Sequence, residues 1–305
     1  MMKNSVGMKN TTRMNVKDMK LKGMKVKALI PTGLGFNCEY ESARAFELAG
    51  AETRIVDIRD LISGEVNLFD YDVLMIIGGF CFGDDLGSGK AVANLLRYKK
   101  IKGKRFIDLI RDFVLTKKGV VLGVCNGFQV LIKLGILPGF DHNYEEQNCT
   151  LTQNDSGRYE DRWVTLRFNS DSPCIATRGL SVMQVPVRHG EGKLIAENKS
   201  VLARLMGKNH YVAQYVDPKT LEPTLQYPLN PNGSAHAVAG ICDETGRIFG
   251  MMPHPEAFLL FENHPAWTRE KRALREQGKE IPRYGSGLKI FENIVAYCKT
   301  RPTRA

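Results

Sequence analysis

Short apolar runs recur through the first half of the chain. A run that is apolar at nearly every position, rather than at every second one, is typical of a strand buried on both faces of a parallel sheet. On this pattern we predict strands over Asp72–Ile77 and Gly119–Val124. We also predict a first strand over Val26–Pro31, which ends in a glycine loop, and a second over Thr53–Ile58.

Helical periodicity fills the segments between these strands. The helix predicted over Glu39–Ala49 is followed by Gly50, the residue that most easily takes the left-handed conformation at a helix C-terminus. Further helices are predicted over Ala91–Tyr98, Phe106–Thr116 and Asn126–Leu134. Because strands and helices alternate, we expect an α/β fold with an open, mostly parallel sheet and helices on both faces.

The pattern changes after residue 160, where short strands lie between turn-rich segments. The strands predicted there are Trp163–Asn169, Val182–Val187 and Val212–Tyr215, and we expect them to form a small antiparallel extension. We predict a further strand of the core sheet over Arg247–Met251 and a terminal helix over Leu288–Lys299.

The formal charge of +10 over 305 residues is concentrated at the two ends of the chain. Residues 1–27 hold eight Lys or Arg against one Asp, and residues 299–305 add three more basic residues. We therefore expect a disordered basic extension over 1–24, one domain over 25–299 and a basic tail over 300–305. The nearly neutral body argues against nucleic-acid binding, which needs a basic face on the folded part.

The seven cysteines are odd in number and include no C-x-x-C pair, which argues against a disulfide scaffold and a zinc site. No apolar run reaches membrane-spanning length, and the N-terminus lacks the apolar core of a secretory signal. These features predict a cytoplasmic protein that binds neither membrane nor metal.

Two glycine-rich loops resemble nucleotide motifs but fail at required positions. Gly33-Leu-Gly35 opens like a dinucleotide fingerprint, yet Cys38 stands where its third glycine is needed. Gly83 to Lys90 resembles a phosphate loop, but its spacing is one residue too long and Ala91 replaces the Ser or Thr that would hold magnesium. We therefore predict no cofactor site in this chain.

A candidate nucleophile follows the predicted strand Gly119–Val124. Gly123-Val-Cys125-Asn-Gly127 has the strand–turn–helix arrangement of a nucleophile elbow, with cysteine in place of serine. The turn is tight enough to require glycine at 123 and 127, and the helix N-terminus that follows favours a thiolate. Taken alone, the motif is also compatible with a buried structural cysteine in a glycine turn.

A candidate base and its orienting group follow the later strand Arg247–Met251. His254 and Glu256 are separated by one residue, so in an extended segment both project to the same side. A cysteine nucleophile needs such a base, and the base needs a group that orients it. The pair therefore favours the catalytic interpretation of Cys125.

The combination of Cys125 with His254-Pro-Glu256 resembles the class I glutamine amidotransferases, and most of all the glutaminase subunits of phosphoribosylformylglycinamidine synthases. The resemblance covers Lys25 to Lys299. The segments that carry it are Gly78-Gly79-Phe80 with Gly83-Asp84, Gly123-Val-Cys125-Asn-Gly127-Phe-Gln129, His189-Gly-Glu-Gly192, Asn230-Pro-Asn-Gly-Ser234 and Gly250-Met-Met-Pro-His254-Pro-Glu256.

The resemblance implies a flavodoxin-like fold and glutamine hydrolysis by a triad. Cys125 would attack the side-chain amide of glutamine and form a thioester. His254 would pass a proton to the departing ammonia and then activate water, while Glu256 orients His254.

The resemblance also implies roles around the triad. Gly79 and Asn126 would supply oxyanion-hole amides, and Gln129 would lie beside the substrate. His189 is either a further glutamine-binding residue or a structural histidine. Asn37, Asp84 and the loop 230–234 match the family pattern without an assigned role. Departures from the pattern lie at Ile77, before the first loop glycine, and over Glu262–Gly285, which we expect to be an insertion.

The resemblance implies partners as well. A synthetase subunit would bind ATP with Mg²⁺ and convert formylglycinamide ribonucleotide to formylglycinamidine ribonucleotide in purine biosynthesis, using ammonia that reaches it through a tunnel. A small accessory subunit would complete the complex. The alternatives are an amidotransferase for another acceptor, a cysteine hydrolase of related fold, and a binding module with a vestigial triad.

Overall fold

The predicted buried strands lie together in one nine-stranded sheet of the computed structural model, which describes residues 25–301. The strands of the described chain are β1 (Lys27–Thr32), β2 (Glu52–Asp57), β3 (Val73–Ile76), β4 (Lys100–Ile101), β5 (Lys104–Arg105), β6 (Val120–Val124), β7 (Cys149–Thr152), β8 (Glu160–Phe168), β9 (Val182–His189), β10 (Lys193–Ala196), β11 (Tyr211–Tyr215), β12 (Val238–Cys242) and β13 (Ile248–Met251).

The helices cover both faces of this sheet, and the expected α/β fold is confirmed. They are α1 (Glu39–Leu48), α2 (Ile58–Ser63), α3 (Lys90–Tyr98), α4 (Phe106–Leu115), α5 (Asn126–Lys133), α6 (Lys199–Gly207), α7 (Trp267–Glu276) and α8 (Leu288–Thr300). On one face α1 packs on α8, where the rings of Phe46 and Phe291 meet edge to face at 5.0 Å between centroids. On the other face α3 packs against α4 and α5.

The sheet has a parallel half and an antiparallel half. Strands β2, β1, β3, β6 and β13 lie side by side in that order and run parallel, and their neighbours β12, β11, β8 and β9 continue the sheet antiparallel. The sequence did not predict β12, whose five residues include a glycine and follow a turn-rich segment. The expected extension is therefore part of the main sheet and four strands wide.

The antiparallel half curls back over the parallel half. Although β9 is the edge strand, the amide of His254, beyond β13, donates a hydrogen bond to the carbonyl of Pro186 in β9 at 2.9 Å. Two small hairpins, β7 with β10 and β4 with β5, flank the main sheet. The curl brings the end of β9 onto the carboxyl ends of the parallel strands.

The domain continues two residues beyond its predicted end. Helix α8 runs to Thr300, and Arg301 is buried, with its guanidinium paired to Asp72 and bonded to the carbonyl of Lys118 at 2.7 Å. The expected tail over 300–305 is thus wrong at its first two positions, because a buried ion pair ties Arg301 to the sheet. The extension predicted over 1–24 lies outside the described residues.

The segment Glu262–Gly285 leaves and rejoins the domain at one place. Leu260 and Tyr284 form an isolated bridge at its base, and α7 within it has no buried residue. That this segment is an insertion stays a prediction. In the part of the chain that the structure describes, none of the helices has the length and apolarity to cross a membrane.

Candidate active site

The carboxyl ends of four neighbouring parallel strands carry the predicted site. In the sheet these strands stand in the order β1, β3, β6 and β13, and the loops that follow them begin at Gly33, Ile77, Cys125 and Met252. Because parallel strands end at the same edge, residues far apart in the chain meet there. The site is therefore a product of the sheet order.

Cys125 occupies a strained turn between β6 and α5. Its φ of 52° and ψ of −109° lie outside the favoured regions for a side chain other than glycine. A Cβ at Gly123 would lie 2.6 Å from Leu131 Cδ1, and a Cβ at Gly127 would overlap the carbonyl oxygen of Ile76. The two glycines thus permit the close packing that holds the elbow, as the sequence predicted.

The Cys125 thiol faces the end of β9. Its Sγ lies 3.4 Å from the carbonyl oxygen of Arg188, and the residue is 5% exposed. Cys125 also directly precedes the first turn of α5, whose unpaired amides favour a negative charge. A thiolate formed here is therefore stabilised from the helix side.

His254 and Glu256 form a buried pair beside this elbow. His254 Nδ1 lies 2.6 Å from Glu256 Oε1, and both side chains are almost fully shielded from solvent. Burial opposes protonation of His254, but the Glu256 carboxylate and the neighbouring Cys125 outweigh it and raise the pKa of the imidazole well above its ordinary value. The carboxylate therefore favours the imidazolium form.

The backbone around this pair differs from the extended segment that we expected. Residues Pro255–Ala257 form a 3-10 turn, and His254 precedes it at φ −104° and ψ 87°. The proline begins the turn because its fixed φ suits a helical first position. The turn, rather than strand alternation, folds the Glu256 carboxylate back onto His254.

The predicted oxyanion-hole residues lie on two loops that adjoin the elbow. Gly79 has a φ of 149°, and a Cβ on it would lie 2.5 Å from the carbonyl oxygen of Gly35 and 2.6 Å from Phe36 Cα. Only glycine fits this close approach. Asn126 begins α5 directly after Cys125. The oxyanion role of both amides stays a prediction.

The Asn126 side chain ties the elbow to the loop after β3. Its Nδ2 donates to Asp84 Oδ1 at 3.1 Å and to Gln129 Oε1 at 2.9 Å, and its Oδ1 accepts from the Cys81 amide at 3.3 Å. Asp84 also accepts from the Ser88 hydroxyl at 2.8 Å. Asp84, which had no assigned role, thus anchors the loop that carries Gly79.

Gln129 is engaged with protein groups at both ends of its amide. Its Nε2 donates to the carbonyl of Glu191 at 2.5 Å, while its Oε1 accepts from Asn126. Glu191 in turn accepts from the Ser88 amide at 3.1 Å and lies 3.5 Å from Lys133 Nζ. Gln129 therefore joins the elbow helix to the 191 loop, and its contact with substrate stays a prediction.

His189 ends β9 close to His254. Its Nδ1 lies 3.1 Å from Asn154 Oδ1, an atom that also accepts from the Gly192 amide at 3.0 Å. Nδ1 is therefore the protonated nitrogen, and Nε2 is a buried acceptor without a protein partner among the described residues. Burial, and next the charge of His254, lower the pKa of His189 to about 3, which keeps it neutral.

The loop 230–234 supports the turn between β9 and β10, which carries Glu191. The Ser234 hydroxyl donates to the carbonyl of Gly192 at 3.2 Å and accepts from the Leu194 amide at 2.9 Å, and the side chain of Asn232 donates to the Tyr215 hydroxyl at 3.1 Å. All of these groups are buried. The loop therefore holds the turn that carries Glu191 in place.

Cys38 is a site residue that sequence reasoning missed. It follows the glycine loop of β1, and its thiol lies against His254 and Glu256. In the sequence it counted only as a mismatch to the dinucleotide fingerprint. A usable signal was its position, since the loop after β1 must end at the same sheet edge as the elbow.

Known proteins match this chain along nearly its whole described length. Residues 25–298 match the family model of the CobB/CobQ-like glutamine amidotransferase domain. The subunit PurQ of phosphoribosylformylglycinamidine synthase from Methanococcus maripaludis is 44% identical, covering 89% of this chain and 97% of that protein. The corresponding PurQ of Dehalococcoides mccartyi is 42% identical, with 90% and 98% covered.

Among solved structures, that of PurLQS from Thermotoga maritima has a chain with a TM-score of 0.59 and 27% identity, covering 90% of this chain and 99% of that one. The match to the family model spans the sheet, the elbow and the His254–Glu256 turn. This chain therefore belongs to the CobB/CobQ-like glutamine amidotransferase family, alongside the PurQ subunits of phosphoribosylformylglycinamidine synthase.

Proposed function

We propose that this chain is the glutaminase subunit of a phosphoribosylformylglycinamidine synthase. It hydrolyses glutamine and supplies the ammonia that a partner synthetase uses to convert formylglycinamide ribonucleotide to formylglycinamidine ribonucleotide in purine biosynthesis. The observation that carries the proposal is the meeting of a strained elbow cysteine with a buried histidine–carboxylate pair at one sheet edge. The identity to PurQ subunits supports the choice of acceptor.

The first half of the reaction forms a thioester. His254 takes the proton of the Cys125 thiol, and the sulfur attacks the side-chain carbonyl carbon of glutamine. The negative oxygen that develops is stabilised by the amides of Gly79 and Asn126. When the carbon–nitrogen bond breaks, His254 returns the proton to the departing nitrogen, and ammonia leaves.

The second half regenerates the thiol. His254 removes a proton from a water molecule that attacks the thioester carbonyl, and glutamate is released as the sulfur regains a proton. His254 Nδ1 faces Glu256 at 2.6 Å, so Nε2 is the nitrogen that exchanges protons. The carboxylate stabilises each imidazolium that forms along the path.

The acceptor chemistry belongs to other chains. We propose a synthetase subunit that binds ATP and Mg²⁺, a small accessory subunit of the same complex, and no cofactor in this chain. The complex structure named PurLQS contains a chain of this fold, which supports partners of these kinds. The proposed location is the cytoplasm, because seven unpaired cysteines suit a reducing compartment.

The test compares two cysteine variants in the reconstituted complex. Cys125→Ala should lower glutamine-dependent synthesis by about 10⁴-fold or more while ammonia-dependent synthesis persists. Cys298→Ala is the matched control, since Cys298 is equally buried but lies in α8. Retained glutamine-dependent synthesis in Cys125→Ala would refute the nucleophile assignment. Synthesis of a product from another acceptor would refute the pathway.

A further inference from the structure

Three potential metal ligands converge beside the elbow. Cys38, His254 and Glu256 are buried, and each offers one ligand atom such that the three atoms lie within 4.8 Å of one another. They come from the loop after β1 and the turn after β13, which are more than 200 positions apart in the chain. The spacing of these residues in the sequence therefore does not indicate a metal site.

The donor set suits zinc. Thiolate, imidazole and carboxylate are the ligands that Zn²⁺ takes in proteins, at about 2.0–2.3 Å in tetrahedral geometry. Such bonds place the ligand atoms about 3.3–3.8 Å apart, so pairs as wide as 4.8 Å would close by about 1–1.5 Å. His254 Nδ1 and Glu256 Oε1, now 2.6 Å apart, would separate by about 1 Å. A thiolate and a carboxylate also neutralise the charge of the ion, which lowers the cost of burying it.

Because Gly78 has no side chain, a small volume beside Cys38 and His254 stays open. A Cβ on this residue would lie 3.0 Å from Cys38 Sγ, 3.0 Å from His254 Cε1 and 3.6 Å from Cys125 Cβ. The side chains of two cysteines and the catalytic histidine therefore border the same small volume.

Two of the donor atoms have weak hydrogen bonds or none. Glu256 Oε2 is buried without a hydrogen-bond partner among the described residues, and a buried carboxylate oxygen in that state is stabilised by a cation. The Cys38 thiol makes only a long contact of 3.5 Å to Asn37 Oδ1. The bond between His254 and Glu256 is the one strong interaction that a metal would have to modify.

We propose that Cys38, a ring nitrogen of His254 and the Glu256 carboxylate bind Zn²⁺ and that the bound ion switches the glutaminase off. Binding releases the proton of the Cys38 thiol to solvent and forms sulfur–zinc, nitrogen–zinc and oxygen–zinc bonds. His254 and Glu256 are then held by the metal and cannot carry protons for Cys125. The inhibitory effect rests on the proposed function, whereas the metal binding does not.

The binding test removes the catalytic thiol first. Full-length Cys125→Ala is titrated with Co²⁺, which reports a thiolate ligand through a near-ultraviolet charge-transfer band, and Zn²⁺ is then added to displace it. One Co²⁺ per chain with this band is expected, and the band should vanish in Cys125→Ala combined with Cys38→Ala. Cys125→Ala combined with Cys298→Ala is the matched control and should keep it. Absence of the band from Cys125→Ala, or its persistence in the Cys38 double variant, overturns the site.

The inhibition test uses the enzyme with its own nucleophile. Glutamate release is measured in the reconstituted complex at buffered Zn²⁺ concentrations, each variant being referred to its own activity without zinc. Cys38→Ser should raise the inhibitory Zn²⁺ concentration by about 100-fold, the size typical of losing support for a bound metal. An unchanged inhibitory concentration would show that zinc acts through Cys125 alone and would overturn the regulatory part. Loss of the proposed function itself would appear separately, as an active Cys125→Ala.

Discussion

A single methyl group at Gly127 tests the geometry of the elbow most directly. Gly127 is the second residue of α5, and a Cβ there would overlap the carbonyl oxygen of Ile76 and lie 2.5 Å from its carbonyl carbon. Ordinary contact begins at about 3.4 Å, so Gly127→Ala requires a displacement of at least about 1 Å. Ile76 ends β3, between two hydrogen-bonded neighbours, and the first turn of α5 should therefore move instead.

The expected loss follows from that displacement. The first turn of α5 carries the Asn126 amide and adjoins the thiol, so both shift relative to the substrate carbonyl. A misplacement of about 1 Å costs on the order of 100-fold in rate, or about 2.7 kcal/mol of transition-state stabilisation. Overpacking should cost about 1–3 kcal/mol in the free energy of unfolding, which leaves an ordinary domain folded.

The assay is steady-state glutamate release by the reconstituted complex. Ammonia-dependent synthesis by the same preparation shows that the variant folds and assembles. Gly207→Ala is the matched control, because Gly207 ends α6 and a Cβ there meets nothing within 4 Å. Its activity should stay within about twofold of the unmodified chain, a change below 0.5 kcal/mol.

A near-normal result would refute the argument. If Gly127→Ala keeps kcat/KM within about threefold while its circular dichroism and melting temperature are unchanged, the elbow tolerates a side chain behind the thiol. The tight approach of α5 to β3 would then not position the nucleophile.

Three further predictions concern buried ionisable side chains. Glu256→Gln should lower kcat by about 10²-fold or more with little change in KM, because the carboxylate stabilises the imidazolium of His254 mainly in the transition state; a loss confined to KM would make it a binding residue. Arg301→Ala should lower the free energy of unfolding by about 3 kcal/mol through loss of its buried pair with Asp72, measured by urea denaturation, with kcat unchanged. His189 stays neutral down to about pH 3 in the folded state but takes up a proton below about pH 6.5 when unfolded. The free energy of unfolding should therefore fall by up to about 1.4 kcal/mol per unit as pH drops through that window, and His189→Asn should lack this component.

The strands of the parallel half could be predicted from the sequence because each is indicated by its own local pattern of residues. A strand buried on both faces must be apolar along its length, and Val120–Val124 shows this without reference to any other segment. The requirement for glycine at 123 is equally local, since a Cβ there would meet Gly127 and Leu131 of the helix that follows, whereas a Cβ at Gly127 would meet Ile76 of β3. Strand β12 was missed although Val238–Cys242 is apolar at every position and fully buried, the same local signal that β6 carries.

The chemistry of the site was decided partly by the sequence and partly by the sheet order. The residue types at 125, 254 and 256 predicted a nucleophile, a base and an orienting group, but the turn at Pro255 determined how the last two meet. Strand order alone brought Cys38 to His254, because β1 happens to lie within the group of strands whose ends form the site.

Contacts between distant loops could come only from the tertiary structure. The resemblance implied only that Gln129 lies beside the substrate, whereas the structure shows its amide held by Asn126 and by the carbonyl of Glu191 at the end of the antiparallel half. Arg301 reads as part of a basic tail, yet it is buried against Asp72, more than 220 positions earlier. A sequence records which side chains are available and which local turns are allowed. Which of them become partners depends on the curl and order of the sheet, because hydrogen bonds and ion pairs form between groups that the fold brings within about 3 Å.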